Sequence, residues 1–370
     1  MKINRYLDFN DMFRYKNTIV RNDMEEMLRV NLPWDKLGGK SCLVTGANGM
    51  IATYMVYLLM SLVRDKGMDI RVVALSRDRK RAEELFADFL EDPHFELLIQ
   101  DVCESIHREG GMDYIFHFAG NASPYYIQND PVGIMKSNLL GTINVLELAR
   151  EKETEKVLFA STREVYGDNA GKASLAESSF GRLDCLDARS CYPESKRAAE
   201  TLCKSYYLQY GIDFNSVRIA HTYGPGMRLE NDGRVMADLL NFVIQNKNIV
   251  LRSKGEALRA FCYITDTLLG LMFVLFYGEE ASAYNLANET EETSVRSLAE
   301  TLIGMSPDKG LRIDYDIPEN QSVVYCDYIR VALDTSRLEA LGWKPCVSLE
   351  KGMKRVLGIY PCLSVWKVEV

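Results

Sequence analysis

The sequence has few of the residues that build metal sites and disulfide frameworks. Its four histidines show no clustered ligand spacing, so we expect no metal site. Its nine cysteines form no CxxC pair and are odd in number. This pattern is typical of reduced thiols in a cytosolic protein, several of them small core residues, and it predicts a cytoplasmic location.

An apolar leader, a long hydrophobic run and an excess of positive charge are also missing. The N-terminus carries charges throughout, unlike a signal peptide. The apolar run at 268–277 is too short to span a bilayer and predicts a buried helix. The net charge of −8 disfavours nucleic acid and anionic membranes as partners. We therefore expect neither nucleic-acid binding nor membrane association.

The residues that are present fit a globular enzyme with two lobes. The chain has 370 residues, of which 47% are hydrophobic and 26% are charged. This length is large for one hydrophobic core, so a two-lobed subunit is the default expectation. Residues 1–37 precede the first predicted strand, and the helical spacing of 23–30 predicts an N-terminal helical extension that caps the next domain.

A glycine-rich loop follows the first predicted strand, 41–45, and leads into an apolar helix. A strand, a glycine turn and a helix form the context of a dinucleotide-binding loop, because backbone N–H groups and the helix N-terminus then face the pyrophosphate. The third small position is Ala52, which still permits close packing of the helix on the strand. The pattern predicts cofactor contacts from Gly46, Asn48, Gly49, Met50 and Ile51.

Strands and helices alternate after this loop. The predicted strands are 70–75, 95–99, 114–120, 156–160 and 214–219, and the predicted helices are 79–90, 134–151 and 192–210. Repeated strand–helix units imply an α/β fold with a parallel, doubly wound sheet and a ligand crevice at the carboxyl ends of its strands. We expect a dinucleotide-binding domain over 38–218 and a smaller, mixed α/β substrate domain over 219–370. The predicted pieces of the smaller domain are helices at 236–246, 267–276 and 295–303 and a strand at 284–286.

Tyr192 and Lys196 stand four residues apart and therefore share one face of the predicted helix. An ammonium beside a phenol favours the phenolate and lowers the pKa of Tyr from about 10. The tyrosine could then accept a hydroxyl proton while a nicotinamide accepts the hydride. Tyr and Lys at this spacing are common on helices, so the glycine loop upstream is what makes a catalytic role the favoured interpretation.

These features and several further segments resemble the extended short-chain dehydrogenase/reductase family, in its group of nucleotide-sugar epimerases, dehydratases and decarboxylases. The resemblance follows the family's order over roughly 40–300, with shared segments at 122–131, 136–142, 161–168, 189–201, 223–225, 231–235 and 259–266. It implies a Rossmann sheet and a nucleotide-sugar-binding second domain. It also implies a homodimer in which the helices beginning near Ile134 and Tyr192 form a four-helix bundle.

The resemblance also implies roles for individual residues. Thr162 would hydrogen-bond the sugar 4-hydroxyl, and Tyr192 would remove its proton. Lys196 would tune Tyr192 and hold the nicotinamide ribose, while Glu164 would act near C5 of the sugar. The remaining implied contacts are with the cofactor for Asp101, Val102, Ala119 and Gly120, and with the substrate for Ser123, Arg163, His221, Arg234 and Arg259.

Several positions depart from the family pattern. Arg163 stands where dehydratases usually have an acid and decarboxylases a serine. Because a guanidinium does not lose its proton, this residue disfavours a conventional 4,6-dehydratase. Arg163 either pairs with a C6 carboxylate or turns into a structural ion pair, and the sequence leaves both open. His221 stands where the family usually has Asn, and Gly226 stands where it usually has Arg. Residues 253–254 replace the family's usual Gly-Asp pair.

The identity of the cofactor is open between NAD and NADP. Ser76 and Arg77 end the second predicted strand, where an NAD enzyme commonly has an acid for the adenosine ribose. Ser and Arg can bind a 2′-phosphate, so the residues lean toward NADP, whereas the resemblance implies NAD.

The implied reaction passes through a 4-keto sugar and recycles a tightly bound NAD(P). Decarboxylation of UDP-glucuronate to a UDP-pentose is the first interpretation. The alternatives are a UDP-sugar or UDP-uronate 4-epimerase, then a nucleotide-hexose 4,6-dehydratase, then a catalytically silent nucleotide-binding protein. The family alone suggests that the product serves polysaccharide synthesis.

Overall fold

The structure is a computed structural model and describes residues 13–169, 172–230, 232–317 and 332–360. Its strands, in chain order, are β1 (Lys40–Thr45), β2 (Ile70–Ser76), β3 (Phe95–Ile99), β4 (Tyr114–His117), β5 (Lys156–Thr162), β6 (Ser174–Leu175), β7 (Phe214–Ile219), β8 (Thr222–Tyr223), β9 (Ile249–Leu251), β10 (Leu258–Ala260), β11 (Cys262–Tyr263), β12 (Ser282–Leu286), β13 (Glu292–Ser294), β14 (Ile313–Tyr315) and β15 (Ala332–Leu333). Its helices are α1 (Thr18–Leu28), α2 (Met50–Lys66), α3 (Arg79–Leu85), α4 (Pro124–Asn129), α5 (Pro131–Glu151), α6 (Cys191–Tyr210), α7 (Val235–Ile244), α8 (Ile264–Tyr277), α9 (Val295–Gly304), α10 (Ser336–Glu339) and α11 (Leu349–Ile359).

Seven parallel strands form the central sheet, in the spatial order β12, β7, β5, β4, β1, β2, β3. The chain starts near the middle of the sheet and winds outward in both directions. All carboxyl ends therefore meet at one edge, which is where such sheets bind ligands. The predicted doubly wound α/β fold is confirmed, and the loops after β1, β4, β5 and β7 lie together at this edge.

The strand predicted at 284–286 was placed in the smaller domain, and this placement is wrong. As β12 it pairs in parallel with β7, with Tyr284 opposite Val217 and Leu286 opposite Ile219. The crossover between them includes α8, which is buried along most of its length because it packs on the sheet. A parallel strand needs such a long crossover, so the sheet gains its seventh strand well beyond residue 218. The domain boundaries at 37 and 218 stay a prediction.

Four small two-stranded sheets stand beside the central sheet: β8 with β11, β9 with β14, β10 with β13, and β6 with β15. The parallel β8–β11 pair aligns Thr222 with Cys262 and Tyr223 with Tyr263. This pairing brings the residues that precede the two strands, His221 and Phe261, into ring contact at 5.8 Å. The β8–β11 pair therefore places His221 and Phe261 together just beyond the carboxyl end of β7.

Some elements begin or end at residues that differ from the predictions. The helix predicted from 134 begins at Pro131, because Asp130 caps it by accepting from the N–H of Gly133 (3.1 Å) and Pro suits the first turn. The strand predicted over 114–120 ends at His117, since the chain turns away before Gly120, whose φ is +142°. The helix predicted over 79–90 ends at Leu85.

The N-terminal extension forms α1 and contacts α2, α8 and α11. Asp23 on this helix is fully buried and accepts hydrogen bonds from the hydroxyls of Tyr54 and Tyr263, both at 2.8 Å. Arg355 on α11 donates to the other carboxylate oxygen at 2.6 Å and also binds Glu26. Burial raises the pKa of Asp23, and these partners oppose the rise. The helix therefore acts as a cap on the central domain.

Other findings concern features that are absent from the described part of the chain. No helix in the described ranges has the length and apolarity needed to cross a membrane. Within the same ranges, no three His, Cys, Asp or Glu side chains are grouped as metal ligands.

Replacing Arg355 by Met should lower the free energy of unfolding by about 3 kcal/mol, because it leaves a buried carboxylate without its ion partner. Chemical denaturation at pH 7 measures the change. The folded-state pKa of Asp23 lies above its unfolded value of about 3.9. The folded state therefore binds more protons, and the variant should regain stability as the pH falls toward that value. Lys354→Met removes an exposed pair with Glu350 and should change stability by less than about 0.5 kcal/mol; equal effects of the two substitutions would contradict the assignment.

Candidate active site

The glycine loop after β1 passes against the backbone of the loop after β4. Gly46 has φ +67°, and a Cβ built on it would lie 2.8 Å from Cα of Ala119. Gly49 caps α2 without a side-chain hydrogen bond from any described residue. The N–H groups of the first helical turn, which include those of Met50 and Ile51, are therefore placed to bind an anion. This geometry agrees with the predicted dinucleotide loop.

The loops after β2 and β3 form the next part of the crevice. The amide of Asn48 donates to the carbonyl of Asp78 at 3.0 Å, which joins the glycine loop to the turn after β2. In that turn Ser76 is buried at the end of the strand, and the exposed Arg77 lies 3.8 Å from Asp101. Arg77 is thus beside a carboxylate at the place where an adenosine ribose would bind.

Two further observations fit a dinucleotide at this edge. Val102 packs against Gly141 of α5 and its carbonyl accepts from Asn144 at 2.9 Å, which fixes the end of the β3 loop. A Cβ on Gly120 would lie 2.5 Å from Oδ1 of Asn138 and 3.3 Å from Nζ of Lys196. Oδ1 of Asn138 is buried and has no hydrogen-bond partner among the described residues. A buried orphan acceptor beside an ammonium indicates a site built for a polar ligand.

The predicted catalytic residues come together where β5 ends and α6 begins. Thr162 is the last residue of β5, and its hydroxyl accepts from the N–H of Glu164 (3.2 Å), which starts a 3-10 turn. Tyr192 is the second residue of α6, and its hydroxyl lies close enough to the Thr162 side chain for Thr162 to lower its pKa. Glu164 and Arg234 also lie close enough to influence its charge. The structure therefore unites Thr162, Glu164, Tyr192 and Arg234 in one cluster.

The expected lowering of the Tyr192 pKa by Lys196 is wrong in this structure. Burial raises the pKa of Tyr192, the charge of Glu164 adds to the rise, and Thr162 and Arg234 oppose it. The Lys196 ammonium instead donates to the carbonyl of Ala160 at 2.8 Å. It also lies 4.6 Å from the ring centre of Phe159. Burial lowers the pKa of Lys196 to about 8.

Glu164 is a carboxyl whose protonation is shifted toward the neutral acid. Desolvation by the surrounding protein atoms raises its pKa although 39% of its side chain stays exposed, and the guanidinium groups of Arg189 and Arg163 oppose the rise. Arg189 lies 3.9 Å from a Glu164 oxygen. A raised pKa suits Glu164 to carry a proton and to give it to a reacting carbon or oxygen.

The predicted substrate residues lie on several different loops and strands. Nη1 of Arg163 lies 3.0 Å from Nε2 of His221. Arg234 donates to the buried Asp232 at 2.9 Å, and Ser123 donates to the backbone carbonyl of Asp232 at 2.8 Å. Arg259 lies on β10 and donates to the carbonyl of Leu258 at 2.7 Å, a local contact. The cluster around Tyr192 is therefore joined by Arg163 and His221, with Ser123 bonded to the loop that carries Arg234.

Three residues of the site were not singled out from the sequence. Asn138 lies within a segment that carries the family resemblance, so that resemblance was the available signal. Its amide donates to Ser195 at 2.9 Å, one residue before Lys196. Asp232, which orients Arg234, lies in another such segment. His117 is buried and hydrogen-bonds Thr45 at 2.8 Å, and burial lowers its pKa to about 3. The only sequence signal for this burial was its position within a predicted strand.

Gly46→Ala should weaken the affinity for NAD at least tenfold, because the new Cβ would force the glycine loop away from Ala119. Gly39→Ala is the matched control, since Gly39 also has a positive φ (+75°) but nothing within 4 Å of the added atom. The control should lose about 1 kcal/mol of stability and keep its NAD affinity. Fluorescence titration with NAD measures both, and similar affinities for the two variants would contradict a close-approach role.

The affinity for NAD should fall as the pH rises through about 8, the pKa of Lys196. A lysine that holds the ribose as an ammonium has a higher pKa when the ligand is bound, so binding weakens where the free protein loses this proton. Titration calorimetry from pH 6.5 to 9.5 measures the slope. Lys196→Met should bind more weakly at pH 7 and show no fall near pH 8. Lys204→Met, an exposed change on the same helix, should keep the wild-type profile; a fall in the Lys196→Met variant would overturn this assignment.

Comparison with known proteins agrees with the family predicted from the motifs. The sequence model of the NAD dependent epimerase/dehydratase family matches residues 42–287. UDP-glucuronic acid decarboxylase 6 of Arabidopsis thaliana is 33% identical over 312 residues, which cover 84% of this chain and 86% of the relative. UDP-glucuronic acid decarboxylase 1 of Xenopus tropicalis is 33% identical over 322 residues, covering 86% of this chain and 71% of the relative.

Solved structures share the fold. A dTDP-glucose 4,6-dehydratase of Streptomyces venezuelae with NAD and TYD bound has a TM-score of 0.73 at 23% identity, covering 88% of this chain and 98% of its own. A UDP-glucose 4-epimerase of Thermotoga maritima with UDP-glucose has a TM-score of 0.72 at 21% identity, covering 86% of this chain and 98% of its own. The sequence match extends from β1 to the residue after β12, so it includes the whole central sheet. The chain belongs to the NAD dependent epimerase/dehydratase family.

Proposed function

We propose that this chain is an NAD-dependent decarboxylase that converts UDP-glucuronate to a UDP-pentose through a 4-keto sugar. The observation that carries the proposal is the position of Arg163, whose charge faces Glu164 beside the Thr162–Tyr192 pair. A guanidinium there can bind a carboxylate but cannot protonate a leaving hydroxyl. The curated relatives named as UDP-glucuronic acid decarboxylases support the same substrate.

The residues of the carboxyl edge would hold NAD. The glycine loop and the first turn of α2 would bind the pyrophosphate, with Asp101 and Val102 near the adenine and Lys196 at the nicotinamide ribose. When bound, NAD supplies an acceptor for the C4 hydride and later returns it. The family and the neighbours solved with NAD favour NAD over the NADP suggested by Ser76 and Arg77.

Tyr192 would accept the proton of the sugar 4-hydroxyl, with Thr162 hydrogen-bonded to the same oxygen. The positive charge of Arg234 lowers the pKa of Tyr192 and so assists this step, although burial opposes it. The position of Tyr192 at the start of α6 adds the favourable potential of a helix N-terminus. Thr162, Arg234 and the helix N-terminus therefore favour the deprotonated form of Tyr192, whereas burial and the charge of Glu164 oppose it.

Loss of CO2 follows from the chemistry of the 4-keto sugar. With a keto group at C4, the C5–C6 bond can break, and its electron pair passes to the C4 oxygen as an enolate. Glu164, whose pKa is raised, would hold the proton that C5 then receives. Tyr192 would then give its proton back to the C4 oxygen as the keto group is reduced, which would complete the cycle. One proton is taken up in place of CO2, and no external oxidant is used.

Arg163 would bind the C6 carboxylate before it leaves. Its guanidinium hydrogen-bonds the imidazole of His221 and lies within electrostatic reach of the Glu164 carboxyl. Arg suits this task because its planar fork can bind both carboxylate oxygens. Arg234 and Arg259 would bind the diphosphate and the sugar of the substrate.

A 4-epimerase is the second candidate, because it would use the same Thr162, Tyr192 and Lys196. It would differ only in that the 4-keto sugar presents its opposite face before it is reduced. A UDP-glucuronic acid 4-epimerase of Bacillus cereus shares the fold, with a TM-score of 0.68. A 4,6-dehydratase ranks third because Arg163 replaces the usual acid, and a silent protein ranks last because the catalytic cluster is complete.

We also propose a homodimeric assembly and a cytoplasmic location. Helices α5 and α6 pack on each other and leave Val132, Leu140, Leu208 and Tyr210 exposed. A second copy that covers these apolar side chains would form the four-helix bundle of a homodimer. A cytoplasmic location and a role in polysaccharide precursor synthesis complete the proposal.

Incubation of the purified protein with UDP-glucuronate and NAD should release CO2 and give a UDP-pentose or its 4-keto form. Mass spectrometry and NMR identify the product. Tyr192→Phe should keep NAD affinity within a fewfold and lose about 10²–10⁴ of the rate, since it removes only the proton acceptor. A product of unchanged mass with inverted C4 would replace the decarboxylase with the epimerase, and a wild-type rate in Tyr192→Phe would remove this residue from the mechanism.

A further inference from the structure

The contact between Arg163 and His221 joins two positions that depart from the family pattern. Arg163 stands in the 3-10 turn directly after Thr162, and His221 lies between β7 and β8, so the two come from separate parts of the chain. Nη1 of Arg163 and Nε2 of His221 are 3.0 Å apart, which is hydrogen-bond distance. Two unusual residues therefore meet directly beside the catalytic cluster.

The chemistry of the two groups decides the direction of this hydrogen bond. A guanidinium can only donate, so Nε2 of the imidazole must accept. His221 is then neutral and carries its proton on Nδ1, because a protonated ring would have no acceptor and would repel the guanidinium. A guanidinium is also a rigid plane, so a bond that fixes one of its N–H groups fixes the direction of the others.

The imidazole is itself held from several sides. His221 has φ +44°, a conformation that is strained for a residue other than glycine and that persists where the surrounding structure imposes it. Its carbonyl accepts from the N–H of Cys262 at 3.2 Å, and its ring packs at 5.8 Å from that of Phe261. The β8–β11 pair thus presents the ring to Arg163 in one orientation, and this backbone geometry is of the kind that accumulates at functional sites.

A second neighbour of Arg163 is on the reacting side. Its charge lowers the pKa of Glu164, so the guanidinium lies within electrostatic reach of the carboxyl assigned to C5. A C6 carboxylate is bonded to C5, and a group that binds it must stand beside that residue. His221 therefore holds Arg163 at the place where a uronate differs from a neutral hexose.

We infer that His221 is a positioning residue that orients Arg163 toward the carboxylate of a uronic acid, and that this pair makes the site select uronates over neutral sugars. The inference rests on the proposed function and adds its specificity element. Arg163 supplies the positive charge that binds the carboxylate, and His221 fixes the orientation of the guanidinium. Each residue then has little effect on uronate binding without the other.

A double-mutant cycle tests this dependence. The variants are Arg163→Ser, His221→Asn and the double substitution, and Asn suits position 221 because it tolerates a positive φ. The dissociation constants for UDP-glucuronate and UDP-glucose, and the kcat and KM for UDP-glucuronate, are measured for each. Thermal melting of each variant establishes that it is folded.

Arg163→Ser should weaken UDP-glucuronate binding about 30-fold, and His221→Asn should weaken it about tenfold. The double variant should be no worse than Arg163→Ser alone, while UDP-glucose affinity stays within about twofold in all three. His221→Gln, whose longer side chain can bring an amide oxygen to the acceptor position of Nε2, should recover part of the affinity that the shorter Asn side chain loses. It also provides a second variant if His221→Asn fails to fold.

Additive effects of the two substitutions would overturn the inference, because they would show that the residues act independently. Equal losses for UDP-glucose and UDP-glucuronate would also overturn it, since His221 would then serve the nucleotide or the diphosphate. If the wild type releases no CO2 but shows the coupled preference for the uronate, the decarboxylase fails and the positioning role stands. If it releases CO2 and the effects are additive, the positioning role alone fails.

Discussion

The close approach of Gly46 to Ala119 is the constraint on which the rest of the site depends. The chain turns there with a positive φ, and only the absence of a side chain lets the β1 and β4 loops touch. This contact sets where α2 begins, and so where its free N–H groups point. The β4 loop continues to Gly120, and the absence of a side chain on this glycine leaves room for Asn138 and Lys196. One backbone contact thus aligns the dinucleotide loop with the catalytic helix.

Burial is the dominant electrostatic effect on the titratable groups of the crevice. It favours the neutral forms of Tyr192, Glu164 and Lys196, so it raises the pKa of the two acids and lowers that of the lysine. Arg234 opposes the rise for Tyr192, and Arg163 and Arg189 oppose it for Glu164. The same positive charges favour a negatively charged ligand.

The sequence predicted the central sheet well because its pattern is local. Apolar runs of strand length, separated by helices and opened by a glycine loop, define β1 to β5 and β7 without knowledge of distant contacts. The seventh strand was assigned to the wrong domain because its partner, β7, is more than sixty residues away and the pairing depends on how α8 packs. Helix ends moved by a few residues where a cap such as Asp130 decided the boundary.

The site residues also divide into those that local sequence patterns predict and those that depend on distant contacts. Spacing and motif order predicted that Thr162, Glu164 and Tyr192 would meet, and the structure places them together. The pKa of Tyr192 could not be predicted from its distance to Lys196 in sequence, because the lysine bonds the Ala160 carbonyl instead. The pairing of Arg163 with His221 was equally hidden, since it depends on the register of two short strands, β8 and β11.

The bond between Asp23 and Arg355 joins residues that are 332 positions apart. A ribosome delivers the acid long before its partner, so α1 cannot reach its final ion pair until α11 has been made. The sheet and its helices can form first, with the N-terminal helix docking only after α11 has emerged. The step that completes this part of the fold therefore has a high contact order and belongs late on the folding route.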